Sequence, residues 1–407
     1  WHNSGLIALG VALQNDSIIN VAINDPECGY HAQMERYVMN DGWWGEGSPT
    51  YHYYPLRAML LSADAVRCRN INLYDRKLYK MLVAPASGVY ADLYFPAHND
   101  GWYGESLIAQ VSLYEIACQR YNNDPFFLSV LQQCYRYTDR NFGEALQNNI
   151  EIPQVTSMET WPSVHFKETG YAVLRSGTKT VVMKYGPHGG GHGHPDKLSI
   201  SIHDGEKEIV SDMGTCAYGV PAFTKWYRKT LSHSTLTVDA KDQKESTGKL
   251  LAFKAYKDGG EVSAEAPDAY SGVTMERKLI LKKNKLTDIL TARSDEQHLY
   301  DYVLILTEKP VFSQTGEVII LNDSPSYNYI KNAIVRKQSS PLSCKIGKAY
   351  MKIEVSEGQE FEVITGEAPG IPPGNGSVLS KYDSPFCYPL IVRVKDKKLR
   401  IKTEWKF

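Results

Sequence analysis

Residues 181–202 read VVMKYGPHGGGHGHPDKLSISI, a loop of glycine and histidine between two short strand-like runs. Short runs with alternating apolar positions, bounded by glycine or proline, are typical of β-strands. Glycine allows backbone to approach a ligand closely and to adopt dihedral angles that are closed to other residues. The stretch therefore predicts two strands that carry a loop suited to binding rather than to packing.

Similar runs continue to the end of the chain, with Gly, Asp, Asn and Pro between them. Their period of two predicts an antiparallel arrangement, which we interpret as a β-sandwich. The downstream runs lie at residues 235–238, 278–281, 302–306, 318–321, 353–355, 361–364 and 390–394.

The first third of the chain has the apolar spacing of helices instead, over roughly residues 6–13, 55–67, 106–121 and 126–142. The motif DGWWGE at residues 41–46 recurs as DGWYGE at residues 100–105, and each copy precedes a helix. Repeated helix hairpins are typical of a solenoid or a closed toroid. The prediction is an α+β, multidomain chain, with a helical domain at 1–150 and an antiparallel β-sandwich at 151–407.

Composition excludes some classes of protein. The chain has 407 residues, which is enough for two domains. Its net charge of -1 gives no excess of basic residues that would indicate binding to nucleic acid. An anionic substrate remains compatible, because a local basic cleft can lie in a neutral protein. The 27 tyrosines suit sugar rings as well as packing. No apolar run approaches the roughly 18 residues of a membrane span.

The cysteines and the first residues add two expectations. Seven scattered cysteines without a CxxC pair fit neither a zinc ribbon nor a dense disulfide framework. The chain opens in what reads as the middle of a helix, without a signal peptide. We therefore expect a fragment that lacks its first helices; a periplasmic or secreted location is compatible, but its signal would lie upstream.

Histidines of the glycine-rich loop are candidate metal ligands. His192 and His194 are two residues apart, so both point the same way in an extended segment. Asp212 and His233 follow downstream. Since imidazole and carboxylate are favoured zinc ligands, one Asp and two His would make a zinc shell. The alternative is a solvated glycine loop with incidental histidines.

A second group of candidates lies at residues 45–54, GEGSPTYHYY. Ser48-Pro49 is typical of a helix start, and Tyr51 and Tyr54 would then share one helix face. A phenol near a cation can have its pKa lowered and transfer protons. The alternative is an aromatic helix start packed on neighbouring tryptophans. His2 and Asn3, at the head of the first helix, would alone suggest only a cap or core residue.

Together, these segments resemble the heparinase II/III-like polysaccharide lyases. Glu46 to His52 matches the family's E-x-S-P-x-Y-H segment, and Trp1-His2-Asn3 resembles the helix that precedes it. Residues 186–198 and 227–235 are similar to its sandwich-domain signature, closest to the exo-acting oligoalginate lyases and exolytic heparinases. These motifs lie between residue 1 and about residue 240, and the strand-like pattern extends the resemblance to the end of the chain. The resemblance implies an incomplete (α/α) toroid followed by an antiparallel β-sandwich, with a toroid that is short here.

The resemblance also implies roles in the β-elimination of a uronic-acid polysaccharide. His2 and Tyr51 would transfer protons, and Asn3 and His192 would engage the uronate carboxylate. Structural Zn²⁺ would be held by His194, Asp212 and His233. Further substrate contacts would come from His188, Glu46, Tyr218 and Arg228.

Two other functions stay open on sequence grounds. A glycoside hydrolase of the same architecture needs two carboxylates across the bond, for which Glu46 and Glu105 could be proposed. A non-catalytic glycan-binding protein would keep the fold without turnover. The expected partner is an anionic polysaccharide or oligosaccharide, either alginate oligomers or heparin and heparan sulfate. Lys225, Arg228 and Lys229 give a slight preference for the heparin type. The oligomeric state is left open, with a dimer among the options.

Overall fold

The computed structural model describes residues 1–141, 143–144, 148–155, 161–371 and 385–407. By its internal contacts the chain divides into two units. The helical unit comprises Trp1–Val89, Leu93–Phe95 and Glu105–Glu159, and the sheet unit comprises Tyr90–Asp92, Pro96–Gly104 and Thr160–Phe407. The domain limits 1–150 and 151–407 stay a prediction, and residues 145–147 and 156–160 next to them lie outside the described residues.

Helices of the first unit begin where the sequence supplies caps. The Asn15 side chain accepts hydrogen bonds from the backbone of Ser17 and Ile18, and Asp75 accepts from the backbone of Leu78. The helices are α1 His2–Ala12, α2 Asp16–Asn24, α3 Tyr30–Tyr37, α4 Pro49–Val66, α5 Arg76–Gly88, α6 Val111–Arg120 and α7 Pro125–Cys134.

Helix α4 is the longest of these helices and carries the predicted tyrosine. Its buried residues include Tyr53, Leu56, Leu60 and Ala63, which recur every three or four positions and so form one face. The Tyr53 hydroxyl lies 2.8 Å from the hydroxyl of Tyr114 in α6. This packing fixes the rotation of α4 about its axis.

The helix predicted over 126–142 is shorter in the structure, where α7 ends at Cys134. The backbone then tightens, because the amide of Arg136 donates to Gln133 and that of Tyr137 donates to Cys134. Such bonds span three residues instead of four and commonly end an α-helix. Phe142 lies outside the described residues.

The sheet unit consists of antiparallel pairs, as the alternation predicts. Its strands are β1 Val164–Phe166, β2 Tyr171–Ser176, β3 Lys179–Lys184, β4 Ser199–His203, β5 Glu208–Val210, β6 Leu236–Val238, β7 Lys249–Tyr256, β8 Gly259–Tyr270, β9 Val273–Lys282, β10 Lys285–Leu306, β11 Val311–Phe312, β12 Glu317–Ile319, β13 Lys331–Gln338, β14 Leu342–Ile346, β15 Ala349–Val355, β16 Phe361–Pro369 and β17 Phe386–Lys406.

Strand β10 organises the sheet unit. It pairs along most of its length with β17, and also with β9, β6 and β5. Strands β2 to β5 form a meander in which each strand pairs with the next. The glycine-rich loop is the β3–β4 connection, so both of its ends are held in neighbouring, hydrogen-bonded strands.

A buried ion pair lies inside the core of this unit. Alternate residues of β9 are buried, and Arg277 occupies one of the buried positions. Its guanidinium lies 2.6 Å from Asp288 and also donates to the carbonyls of Leu198 and Ser234. Arg277 thus fixes the backbone just after the glycine-rich loop and just after His233.

The helices are short or polar by membrane standards. Within the ranges that the structure describes, none is long and apolar enough to cross a bilayer.

Candidate active site and metal group

The glycine-rich loop takes a path that few other residues could follow. Gly189 and Gly190 have φ of 92° and 63°, and a 3-10 turn over Gly190–His192 follows. A Cβ on Gly193 would lie 1.8 Å from the carbonyl oxygen of His188. These positions therefore require glycine, and they present His192 and His194 in different surroundings.

His192 is the partly open histidine of the loop. Its side chain is 26% exposed, and its Nδ1 lies 2.9 Å from Oδ2 of the buried Asp100. The hydroxyl of Tyr218 lies 3.2 Å from both atoms, and the two rings are stacked with centroids 6.4 Å apart. Two predicted site residues, His192 and Tyr218, are thus brought together, around a carboxylate that was not predicted.

Arg228 and His188 flank the same loop. Arg228 donates to the carbonyl of Gly193 at 2.8 Å and lies over the ring of Phe223. His188 Nε2 lies 3.5 Å from Glu245, and burial lowers the pKa of His188. The Arg228 side chain therefore anchors the glycine-rich loop through the backbone of Gly193.

Three buried side chains could hold a metal ion. Ligand atoms of Asp196, Asp212 and His233 lie within 4.8 Å of one another, and His233 Nδ1 is 3.3 Å from Asp212 Oδ2. Within the described part of the chain, Asp196 Oδ1, Asp212 Oδ2 and both ring nitrogens of His233 make no hydrogen bond of acceptable geometry, and the 3.3 Å approach of His233 to Asp212 is no exception. Buried polar atoms rarely lack partners, so their convergence fits a cation of the zinc type.

This group differs from the predicted one by one residue. Asp212 and His233 belong to both sets; the third member is Asp196 in the structural group and His194 in the predicted one. The His194 ring centroid is 5.1 Å from that of His233, and its Nε2 is 3.0 Å from Asp100 Oδ1. Among described residues, the buried Nδ1 of His194 has no hydrogen-bond partner. The ligand role of His194 stays a prediction.

Buried lysines balance the negative charge beneath the loop. Lys184 Nζ lies 2.6 Å from Asp196 Oδ2 and also donates to the side chain of Asn99, and Lys197 Nζ lies 3.7 Å from Asp196 Oδ1. Burial alone would raise the pKa of Asp196, but the two ammonium groups hold it well below its usual range. The carboxylate is therefore ionised and ready to act as a ligand.

Proton-transfer candidates of the helical unit lie at the starts of two helices. His2 is the exposed first residue of α1, and Tyr51 lies in the first turn of α4. Trp1 and Tyr54 have ring centroids 5.5 Å apart, so these two helix starts are neighbours. Asn3 donates to the carbonyl of Cys28 at 2.5 Å, which fixes its amide.

His52, the histidine of the E-x-S-P-x-Y-H segment, is structural. The backbone amide of Trp44 donates to His52 Nδ1 at 3.0 Å, so the proton is on Nε2, which donates to the carbonyl of Met81 at 2.8 Å. Burial lowers the pKa of His52 to about 4. Glu46 accepts from the Trp44 indole at 3.1 Å.

Sequence reasoning missed several residues around the loop. Asp196 and Lys184 both lie within residues 181–202, but nothing local in the sequence marked them as buried. Asp100 belongs to the repeated DGWxGE wording, which was interpreted only as a helix-hairpin signal. The missed residues are Lys184, Asn99, Asp100 and Asp196.

Comparison with known proteins gives this arrangement a context. Residues 158–303 match the family described as Heparinase II/III-like, C-terminal. The chain is 26% identical over 350 residues to an alginate lyase of Stenotrophomonas maltophilia, covering 75% of the chain and 46% of that protein. It is 24% identical over 357 residues to an exo-oligoalginate lyase of Saccharophagus degradans, covering 74% and 48%. The chain thus spans about half the length of these relatives.

A third relative and a solved structure point the same way. The heparin-sulfate lyase of Pedobacter heparinus is 23% identical over 244 residues, covering 56% of the chain and 34% of that protein. The crystal structure of heparan sulfate lyase HepC from Pedobacter heparinus superposes with a TM-score of 0.73 at 16% identity, covering 99% of the chain and 59% of that structure. The family resemblance expected from the motifs is confirmed, and the fold is shared.

Proposed function

We propose that this chain, whose residues 158–303 carry the heparinase II/III-like C-terminal sequence, is part of a polysaccharide lyase that cleaves uronic-acid polysaccharides by β-elimination. One observation carries the proposal: the glycine-rich loop presents a partly open imidazole, His192, backed by the buried Asp100 and stacked by Tyr218. In its imidazolium form, His192 can donate from Nε2 to a carboxylate. The lyase names of the three relatives support it.

The finer architecture belongs to the same proposal. We take the helices α1 to α7 as part of an incomplete (α/α) toroid and the strands as an antiparallel β-sandwich. The likeness to heparan sulfate lyase HepC over 99% of the chain supports both assignments.

β-Elimination at a uronate makes three chemical demands. The carboxylate must accept developing negative charge, the C5 proton must leave, and the leaving O4 must gain a proton. We assign the first task to Asn3 and His192, because stabilising the developing charge is usually the largest contribution. We assign proton transfer to His2 and Tyr51, with Tyr51 as the acid to O4 and, in a syn elimination, also as the base. Each acid or base contributes about 10²–10⁴-fold.

Zinc would have a structural part in this scheme. When bound by Asp196, Asp212 and His233, with His194 as a further candidate, the ion would neutralise buried charge and cross-link the glycine-rich loop to distant segments. The protein's own groups then hold His192 in place. His188, Glu46, Tyr218 and Arg228 remain candidate substrate contacts.

The substrate is proposed as alginate oligomers or a heparin-type glycosaminoglycan, cleaved from the chain end. Alignments to the two alginate-acting relatives cover about three quarters of the chain, whereas the heparin-sulfate lyase alignment covers 56%. Alginate oligomers are therefore the first substrate to assay. The slight preference for heparin drawn from Lys225, Arg228 and Lys229 stays a prediction.

Replacing Tyr51 tests the proposal directly. Tyr51→Phe removes only the hydroxyl and should lower the release of products with the ultraviolet absorbance of an unsaturated uronate by about 10²-fold or more. Tyr54→Phe is the matched control, because Tyr54 lies one turn later in α4 and is exposed. That variant should keep full activity.

The assay uses alginate oligomers, heparin, heparan sulfate, chondroitin sulfate and hyaluronan in parallel. New reducing ends without ultraviolet absorbance would indicate a hydrolase, and binding without any cleavage would indicate a glycan-binding protein. Equal turnover by Tyr51→Phe and the unmodified protein would remove Tyr51 from the mechanism. Early release of small products, without an early fall in viscosity, would support cleavage from the chain end.

A further inference from the structure

Asp100 lies outside the segments that carry the family resemblance, yet it contacts His192 and His194, which belong to one of those segments. Its side chain is 1% exposed. Oδ1 lies 3.0 Å from His194 Nε2, and Oδ2 lies 2.9 Å from His192 Nδ1. The Tyr218 hydroxyl donates to Oδ2 at 3.2 Å, and the backbone amide of Asp100 donates to the carbonyl of His192 at 3.1 Å.

An ionised carboxylate only accepts hydrogen bonds, so each imidazole nitrogen that faces it must carry a proton. Each oxygen of Asp100 faces one imidazole nitrogen, Oδ1 that of His194 and Oδ2 that of His192, which is the geometry of a carboxylate that accepts from both rings. His194 therefore has its proton on Nε2, which leaves the lone pair on the buried Nδ1. Neutral His192 has its proton on Nδ1, which leaves the lone pair on Nε2. Donation from Nε2 to a uronate carboxylate therefore requires the imidazolium form, which has a proton on both nitrogens.

We propose that Asp100 is a positioning residue that fixes the orientation and tautomer of both histidines at once. One carboxylate thereby links the partly open imidazole of His192 to the imidazole beside the metal group. Carboxylates that hold metal-site histidines in this way commonly set ligand basicity and ring orientation. The part that concerns His192 in catalysis rests on the proposed function; the tautomers and the effect on metal binding do not.

The surroundings show why aspartate is needed and how it is held. The amide of Thr215 donates to the carbonyl of the next residue, Gly101, at 3.1 Å. The preceding residue, Asn99, accepts from Lys184 and from the backbone amide of His194. Asn99 and Asp100 thus hold the glycine-rich loop in place by backbone and side-chain hydrogen bonds. An amide in place of Asp100 would turn an NH₂ group toward one of the two imidazole N–H groups.

The test compares Asp100→Asn with Asp92→Asn in the 407-residue protein. Asp92 is a matched control because it forms another carboxylate–histidine pair of the sheet unit, 3.2 Å from His203 Nε2. Ring ¹⁵N signals of histidine-labelled protein report tautomers, with His192→Gln and His194→Gln used for assignment. Competition with a chromophoric chelator gives the affinity for Zn²⁺. Ultraviolet assays give kcat and KM.

Asp100→Asn should change the ring signals of His192 and His194, weaken Zn²⁺ binding about 10–100-fold and lower kcat in the same range. KM should change much less, because the substrate-contacting groups remain. Asp92→Asn should leave all three readouts unaltered. Asp100→Glu keeps the charge but moves it by one methylene, and it should recover part of the Zn²⁺ affinity.

Three outcomes overturn the inference. The first is unmodified protein in which His194 carries its proton on Nδ1, or neutral His192 carries it on Nε2; this readout needs no variant to fold. The second is Asp100→Asn with unchanged ring signals and Zn²⁺ affinity, even if activity is lost. The third is an equal effect of Asp92→Asn. Absence of lyase activity in the unmodified protein, with the predicted tautomers present, would instead defeat the proposed function and leave the positioning role of Asp100 standing.

Discussion

The motif DGWxGE occurs twice in this chain, and the two copies differ in the residues that they contact. In the first copy, Asp41 accepts from the backbone amide of Trp43, and the Trp44 indole donates to Glu46. In the second, Asp100 bonds to two histidines of the glycine-rich loop, and the hydroxyl of Tyr103 donates to Glu208 at 2.6 Å. The first copy closes a local loop, and the second organises a candidate site.

Even the backbone differs between the copies. The second position is left-handed in the first copy, where Gly42 has φ of 97°, whereas the fifth position is left-handed in the second, where Gly104 has φ of 87°. Each copy precedes a helix, as the sequence predicts. Five identical residues out of six therefore indicate where a turn falls, but long-range contacts decide its conformation and its chemistry.

The largest expected difference between the two copies is in how the stability of their surroundings depends on pH. His52, which accepts from the first copy, has its pKa lowered to about 4 by burial, so its contribution to stability is complete above about 6.5 and is lost as pH falls through 4. Burial raises the pKa of Glu208, which accepts from the second copy, to about 7. The contribution of Glu208 to stability is complete below about pH 4.5 and is lost as the pH rises through 7. Each change corresponds to about 3 kcal/mol.

Local hydrogen exchange measures this directly, with peptides from α4 for His52 and from β4 and β5 for Glu208. His52→Gln should flatten the acid limb in α4 alone, and Glu208→Gln should flatten the alkaline limb in the strands alone. A single pH profile shared by both regions would contradict the opposite signs assigned to these groups.

Alanine at the second position of the first copy should have the next largest effect. Gly42→Ala places a Cβ 2.4 Å from the carbonyl oxygen of Lys80 in a conformation that L residues rarely adopt. We expect a loss of about 2 kcal/mol in unfolding free energy of the helical unit. Gly45→Ala is the matched control, since its Cβ would lie 3.3 Å from its nearest neighbour and its φ is not left-handed. Similar losses for both variants, measured by urea unfolding, would contradict this difference.

The sequence was informative wherever the pattern was local. Residues 278–281 alternate in burial within β9, as predicted, because one face of that strand packs into the core. Strand β10 was recognised only at residues 302–306. Its polar stretch at 293–298 resembles a loop, and the structure has a register shift between Arg293 and His298 at that point. A bulge interrupts the periodicity by which strands are recognised.

The candidate site shows the same division. Asp212 and His233 were predicted as zinc ligands because zinc favours carboxylate and imidazole groups. In the structure, His233 Nδ1 lies 3.3 Å from Asp212 Oδ2. Asp100 lies 92 positions before His192 in the chain, and no local period connects the two. Arg277 sits among charged neighbours, so nothing in its surroundings in the sequence distinguished it from a solvated strand residue.

The smallest effect concerns the hydrogen bonds that the fourth residue of each copy makes. Tyr103→Phe leaves the buried Glu208 without one of its donors and should cost about 1 kcal/mol near pH 6. The cost should grow above pH 7, because a hydrogen bond to an ionised carboxylate is stronger than one to the neutral acid. Trp44→Phe removes the matching bond to Glu46, a partly exposed group that water can solvate, so its cost should be smaller than that of Tyr103→Phe. Hydrogen exchange in β5 and α4 at pH 6 and 8 tests both. A pH-independent cost for Tyr103→Phe would mean that Glu208 does not change its charge between these values, and the contrast between the two copies would then rest on Asp100 alone.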